Sequence, residues 1–160
     1  MERISTVQAR TLTASLSGAS AFPVIIEADV GSGLARFSIV GLPDSAVRES
    51  ADRVRSAITR SGVTWPAGRI VINLAPADLR KGGSGLDLGI ALALLAAAGK
   101  LAPRRLRYAA FHGELSLTGT VREAGGALAV ARAVAQQGAR LLLTAPGCSR
   151  EAALEPRLRV

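Results

Sequence analysis

Arg80, Lys81, Gly82, Gly83 and Gly85 fall within one unbroken stretch, residues 70–92 (IVINLAPADLRKGGSGLDLGIAL), that reads as strand, basic loop and helix with almost no spacer. The chemistry open to such a loop is anion binding. Backbone N–H groups and a helix N-terminus offer partial positive charge, and the two cations add full charges. The glycines permit tight turning, and they would let a ligand backbone come close. The same arrangement is also an ordinary way of joining two core elements. It is not a Walker A loop, since no G-x-x-x-x-G-K-[ST] occurs and neither Lys81 nor Lys100 has the required glycine spacing. ATP binding of the P-loop kind is not expected of this chain.

Other reactive side chains are few. Cys148 is the single cysteine and His112 the single histidine, which leaves little for a disulfide, a metal centre or a Ser-His-Asp triad. His112 reads as a strand residue with a satisfied ring. Ser84 beside Lys81 is the one pairing in the loop that could form a nucleophile and base, with no evident orienting group. Asp87, at the start of the following helix, reads first as a favourable charge against the helix dipole. Its functional alternative is to orient Arg80 or Lys81 toward a phosphate or a neighbouring subunit. Glu114 lacks a second carboxylate at a defined spacing, and the glycines at 113 and 119 read as hairpin geometry.

The net charge of +8 arises from 20 Lys and Arg against 12 Asp and Glu, so attraction to a polyanion is physically reasonable. An arginine- and alanine-rich composition can also produce that charge without a ligand. Aromatic residues make up 3% of the chain, which argues against a stacking platform for bases and for contacts to phosphates instead. The longest apolar run, residues 90–98, is far short of the roughly 20 residues of a membrane span, and the N-terminus lacks a secretory apolar block. A cytoplasmic protein without membrane contact is expected.

The elements that must position the loop follow from periodicity. Residues 8–16 and 22–30 read as strands joined by a turn-rich segment, and 34–40 as a third strand of an antiparallel opening sheet. Asp44 or Ser45 can cap a helix whose apolar face is Val47, Ala51, Val54 and Ile58, with Gly62 as the stop. Its other face carries Arg48, Arg53, Arg55 and Arg60, with Glu49–Arg53 and Arg48–Asp52 as pairs across one turn. That face reads as solvated or, more sharply, as a basic binding stripe. Residues 69–74 give a buried strand, 87–98 a helix apolar nearly all round, 108–112 and 115–121 two short strands, 127–137 a third helix and 140–144 a final strand. Length and core size fit one domain spanning 1–160.

The segments 40–58 (VGLPDSAVRESADRVRSAI), 73–83 (NLAPADLRKGG), 86–97 (LDLGIALALLAA) and 113–122 (GELSLTGTVR), in this order, resemble the N-terminal domain of the ComM/YifB family of magnesium-chelatase-like AAA+ proteins. The resemblance covers nearly the whole chain. It implies an α/β fold of the α+β type, a Lon-protease-like sandwich of a mixed sheet with about three helices. It also implies an AAA+ ATPase module following this chain, to which ATP and Mg would belong, leaving this chain without cofactor or metal. The parent would assemble as a homo-oligomeric ring and act on DNA in branch migration, natural transformation and recombination.

Lon-type peptidases use a serine at the start of the core helix and a lysine just after a Gly-Gly pair. By this resemblance Asp87 stands at the serine position, and Leu128 or Val130, after Gly125-Gly126, at the lysine. The chain is therefore expected to be no enzyme. It would be an accessory domain contributing DNA contacts, with Arg80, Lys81, Arg48, Arg55 and Arg60 as candidates from their charge, or subunit packing. A ligand-free oligomerisation scaffold and a divergent Ser84/Lys81 peptidase are the alternatives. The family name also invites chelatase chemistry, but nothing in the chain offers metal or porphyrin binding.

Overall fold

The computed structural model describes residues 8–160. Strands β1 (Ala9–Ser17) and β2 (Ser20–Gly31) form a long antiparallel hairpin, closed by a turn with Gly18 at φ 61. The chain then runs through β3 (Arg36–Val40), helix α1 (Ser45–Arg60), β4 (Arg69–Ala75) and helix α2 (Asp87–Ala97). Next come β5 (Ala109–His112), the two-residue strands β6 (Glu114–Leu115) and β7 (Val121–Arg122), and helix α3 (Ala127–Gln136). Strand β8 (Leu141–Thr144) and the short helix α4 (Ser149–Ala152) complete the order.

Six strands make one mixed sheet in the order β3-β4-β2-β1-β5-β8, and β6 and β7 form a separate pair. β3 does not continue the opening hairpin, contrary to the expectation of an antiparallel opening sheet. It lies parallel to β4, which inserts between β3 and β2. The reason is the long connection through α1, which gives a parallel crossover room to form. The stretch 115–121 is likewise not one strand. It folds back at 116–120, where Thr120 N donates to Ser116 Oγ at 3.0 Å and Gly119 takes φ 93.

One face of the sheet is covered by α1 and α2. In β1 the buried residues Ala9, Thr11, Thr13 and Ser15 alternate with Arg10 and Leu12 on the opposite face. In β4 the residues Ile70, Ile72 and Leu74 are buried while their neighbours are exposed or half-exposed, so this strand is covered on one face only. The larger core joins these residues to Val47, Val54 and Ile58 of α1 and Ile90 and Leu94 of α2. α3 covers the other face over β1, β2 and β5, building a second core with Ala110 and Leu142. α2 is apolar around its circumference because it is enclosed between the sheet and α1. Thr11 Oγ1 donates to Gly89 O at 2.9 Å and ties it to β1.

Candidate functional site

The glycine-rich loop is fastened at both ends. Lys81 N donates to Leu42 O at 3.0 Å and Asp44 N to Lys81 O at 2.9 Å, forming a parallel bridge between Pro43 and Lys81. Asp44 serves both segments. Its Oδ1 accepts from Val47 N at 2.8 Å and caps α1, while its Oδ2 accepts from Gly83 N at 3.3 Å. On the sheet side, Gly82 N donates to Ser15 Oγ at 3.0 Å.

Within this frame the two cations part. Arg80 is exposed, whereas Lys81 is fully buried, and its Nζ donates to Gly41 O at 2.9 Å. Burial pushes the Lys81 ammonium below its ordinary 10.5, with Asp78 pulling partly the other way. A phosphate at the loop surface therefore meets Arg80, not the lysine. Gly83 takes φ 85, and Gly85 is needed for close packing, because a Cβ there would run into the His112 ring. The 3₁₀ turn Ser84–Leu86 then leads into α2, and no hydrogen bond joins Ser84 to Lys81 among the described residues.

Asp87 is fully buried in the first turn of α2, with its carboxylate turned toward α1. It accepts from Ser50 Oγ, from Arg53 Nε at 2.6 Å and Nη2 at 3.1 Å, and from Leu115 N at 3.0 Å. It thus binds α1, α2 and β6 into one unit. Its place in the first turn of α2 agrees with the helix-dipole reading, although its side chain makes no capping hydrogen bond; it does not orient Arg80 or Lys81, which corrects that alternative. Proximity decided the partners, since Arg53 and Ser50 reach it across the α1–α2 interface. The hydrogen bond to Asp87 raises the Arg53 pKa above its usual value despite partial burial. The Glu49–Arg53 pair forms at 3.6 Å, so Arg53 bridges two carboxylates instead of lying on a merely solvated face.

Arg48, Arg55 and Arg60 are exposed on α1. Arg55 also lies over the Trp65 ring, 5.6 Å from its centroid. His112 is only half-satisfied: Nε2 lies 3.1 Å from Gly125 O and 3.3 Å from Ala124 O, and Nδ1 has no partner. Its burial lowers its pKa below 6.5. Cys148 is a buried free thiol that donates to Ala124 O at 3.5 Å. Among the described residues no cluster of three or more His, Cys, Asp and Glu could hold a metal ion, and no helix is long and apolar enough to cross a membrane. Sequence reasoning missed Ser15, Ser50 and the inward turn of Arg53. Ser50 carried a signal, since it falls three residues after Val47 on the buried face of α1.

The mixed sheet with its Gly-rich loop docked on the α1 cap and a buried carboxylate at the start of α2 makes this a domain of the α+β class. The family model described as subunit ChlI of Mg-chelatase matches residues 26–147, and the chain belongs to this family. It is 44% identical over 131 residues to the uncharacterized protein YifB of Escherichia coli, covering 82% of this chain and 26% of that protein. It is 43% identical over 129 residues to the uncharacterized protein Rv2897c of Mycobacterium tuberculosis, covering 81% and 26%. It is 42% identical over 137 residues to the competence protein ComM of Haemophilus influenzae, covering 86% and 27%. The chain spans about a quarter of the length of these curated relatives.

Proposed function

We propose that this chain is a single, non-catalytic accessory domain of a cytoplasmic, DNA-acting AAA+ ATPase, with ATP and Mg bound by a module outside it. The observation that carries the reading is the state of Asp87. The group at the head of the core helix is a fully buried carboxylate, its oxygens taken up by Ser50, Arg53 and Leu115 N, and so unavailable to attack a substrate. Lys81, spent inside on Gly41 O, is equally remote from the role of base. The DNA part is supported by the net charge of +8, by the exposed Arg48, Arg55, Arg60 and Arg80, and by the competence protein among the relatives. In this reading Lys81 shapes the loop and Arg80 contacts phosphate.

The test is fluorescence anisotropy of labelled single-stranded, duplex and four-way-junction DNA at low and moderate salt, run beside a casein-hydrolysis assay. Binding that weakens steeply with salt, with no proteolysis, is expected. Absence of binding to every DNA form at low salt defeats the DNA reading, and proteolysis lost on Ser84→Ala defeats the non-catalytic one.

A second role, subunit packing in a homo-oligomeric ring, is favoured by the exposed Val40, Leu42 and Leu79. They flank the Pro43–Lys81 bridge on its two segments. Light scattering that shows concentration-dependent mass in the absence of DNA, lost on Leu42→Asp, is the expected signature. A monomer at all concentrations removes that role for the isolated chain.

A further inference from the structure

A cleft of about 840 Å³ opens near the starts of β1 and β5, away from the glycine-rich loop. Its lining includes Arg10 and Leu12 from β1, Ile25 and Glu27 from β2, the 103–109 segment and the turn 137–139 after α3. Arg10 stands directly across the hairpin from Glu27, yet that carboxylate accepts instead from Asn73 Nδ2 at 2.7 Å. At the edge of the cleft Tyr108 takes φ 61, a left-handed backbone unusual for an aromatic residue. Arg140 N and Leu141 N hold it there by donating to Tyr108 O at 2.8 and 3.2 Å.

This backbone leaves the Tyr108 ring half exposed, with the guanidinium carbons of Arg107 and Arg140 at 4.9 and 5.0 Å from its centroid. Arg104 is exposed in the same segment. Among the described residues the arginines within 4.0 Å of a carboxylate are Arg53 and Arg157, so Arg10, Arg104, Arg107 and Arg140 have no acidic partner there. At the adjoining C-terminal end of α3 two of the last carbonyls are capped. Val134 O and Ala135 O accept from the N–H groups of Gln137, Gly138 and Ala139. Three arginines, Arg10, Arg104 and Arg107, thus line a cleft whose single carboxylate is already bonded, and Arg140 joins them from beside it over the Tyr108 ring.

We infer that this cleft is a phosphate-binding groove that takes the sugar-phosphate backbone of a single DNA strand. The inference rests on the DNA-acting reading above and assigns that activity to residues outside the loop and α1. The cleft has the volume of a small-ligand pocket, on the scale of a short length of one strand. Guanidinium forks suit phosphodiester oxygens, and the Tyr108 ring holds two of them together by cation–π contact.

The experiment measures anisotropy of labelled oligothymidine and of a duplex with the 160-residue chain, across a salt series. The variants are Arg104→Ala/Arg107→Ala/Arg140→Ala and a charge-matched control, Arg36→Ala/Arg69→Ala/Arg122→Ala, with thermal melts checking that each is folded. The cleft variant is expected to bind single strands about tenfold or more weakly, with the salt slope lower by about 2, and the control to change less than about threefold. Tyr108→Gly keeps the left-handed backbone, removes the ring that holds Arg107 and Arg140, and should weaken binding about threefold. Equal losses in the cleft variant and the control, or tighter binding of duplex than of single strand, overturn the groove while leaving DNA binding in place. Wild-type protein that binds no DNA overturns both.

Discussion

Arg53 Nε lies 2.6 Å from Asp87 Oδ2, and this contact converts a charged residue of α1 into the clasp that fixes α1 to the start of α2. The pair is asymmetric. The Asp87 side chain is fully buried, while that of Arg53 keeps 18% of its exposure. Removing Arg53 therefore strands a carboxylate away from water, whereas Asp87→Asn leaves a cation that can still be hydrated. Arg53→Met is expected to cost about 3 kcal/mol and Asp87→Asn less, because breaking a buried pair from one side exacts the desolvation penalty of the group left behind. In urea unfolding the double variant should fall short of the sum by about 1–3 kcal/mol. Simple additivity would show that the clasp contributes nothing.

Lys81 and Arg80 should behave as opposites despite adjacent positions. Lys81→Met preserves the length of a buried side chain and removes its charge, so stability near neutral pH is expected to hold within about 1 kcal/mol or to rise. DNA affinity should stay unchanged, while Arg80→Ala lowers it. The pH sign follows from a native pKa below the ordinary 10.5. Below the native pKa the fold carries the cost of burying charge, and that cost disappears as pH rises toward 10.5. Wild type should therefore gain stability on Lys81→Met across that alkaline window. Weaker DNA binding by a fully folded Lys81→Met would place the ammonium at the phosphate after all.

That contrast shows what the residues themselves could reveal. Val47, Val54 and Ile58 at helical spacing, with Asp44 ahead of them, defined α1 and its buried face, and Asp44 is indeed the cap. The apolar circumference of α2 announced a helix enclosed on both sides. A lysine in a glycine-rich loop, by contrast, reads as solvent-facing, because its burial depends on Gly41 and Leu42, some forty residues earlier. The parallel placement of β3 beside β4 depends on where the crossover lands, and alternation alone does not carry that information. Tyr108 escaped notice for a similar reason, since nothing in its identity signals a positive φ or two arginines brought to one ring.

His112 gives the fold a response to mild acid. The unfolded chain takes up a proton near the ordinary 6.5, but the buried imidazole resists it, since desolvation outweighs the pull of Gly125 O, Ala124 O and Glu151. Stability is then lost as pH falls below about 6.5, at no more than ~1.4 kcal/mol per pH unit from this one group. Denaturation midpoints at pH values on either side should diverge in wild type. In His112→Gln that part of the difference should vanish. An unchanged pH dependence in the variant would show that the ring is protonated without penalty.

Glu155 and Arg157 supply a titration at the opposite end of the acid range. Arg157 Nε and Nη2 reach the Glu155 carboxylate at 2.6 and 3.0 Å, and Arg157 N adds a third bond at 3.1 Å. These contacts, the side-chain bond first, hold the carboxyl at about 2 instead of the usual 4.5. The unfolded chain binds this proton more readily than the folded one, so the contribution is complete above pH 4.5 and is lost as pH falls toward 2. The expected observation is an NMR titration of the Glu155 carboxyl carbon with its midpoint near 2, moving toward 4.5 in Arg157→Ala. The C-terminal segment would feel this change, because Arg159 N donates to Arg140 O at 3.0 Å and Leu142 N to Arg159 O at 2.8 Å, two residues beyond the pair. Amide exchange at Leu142 should therefore speed up in Glu155→Gln while exchange in α2 does not, and equal exchange at both places would deny that this pair anchors the tail against β8.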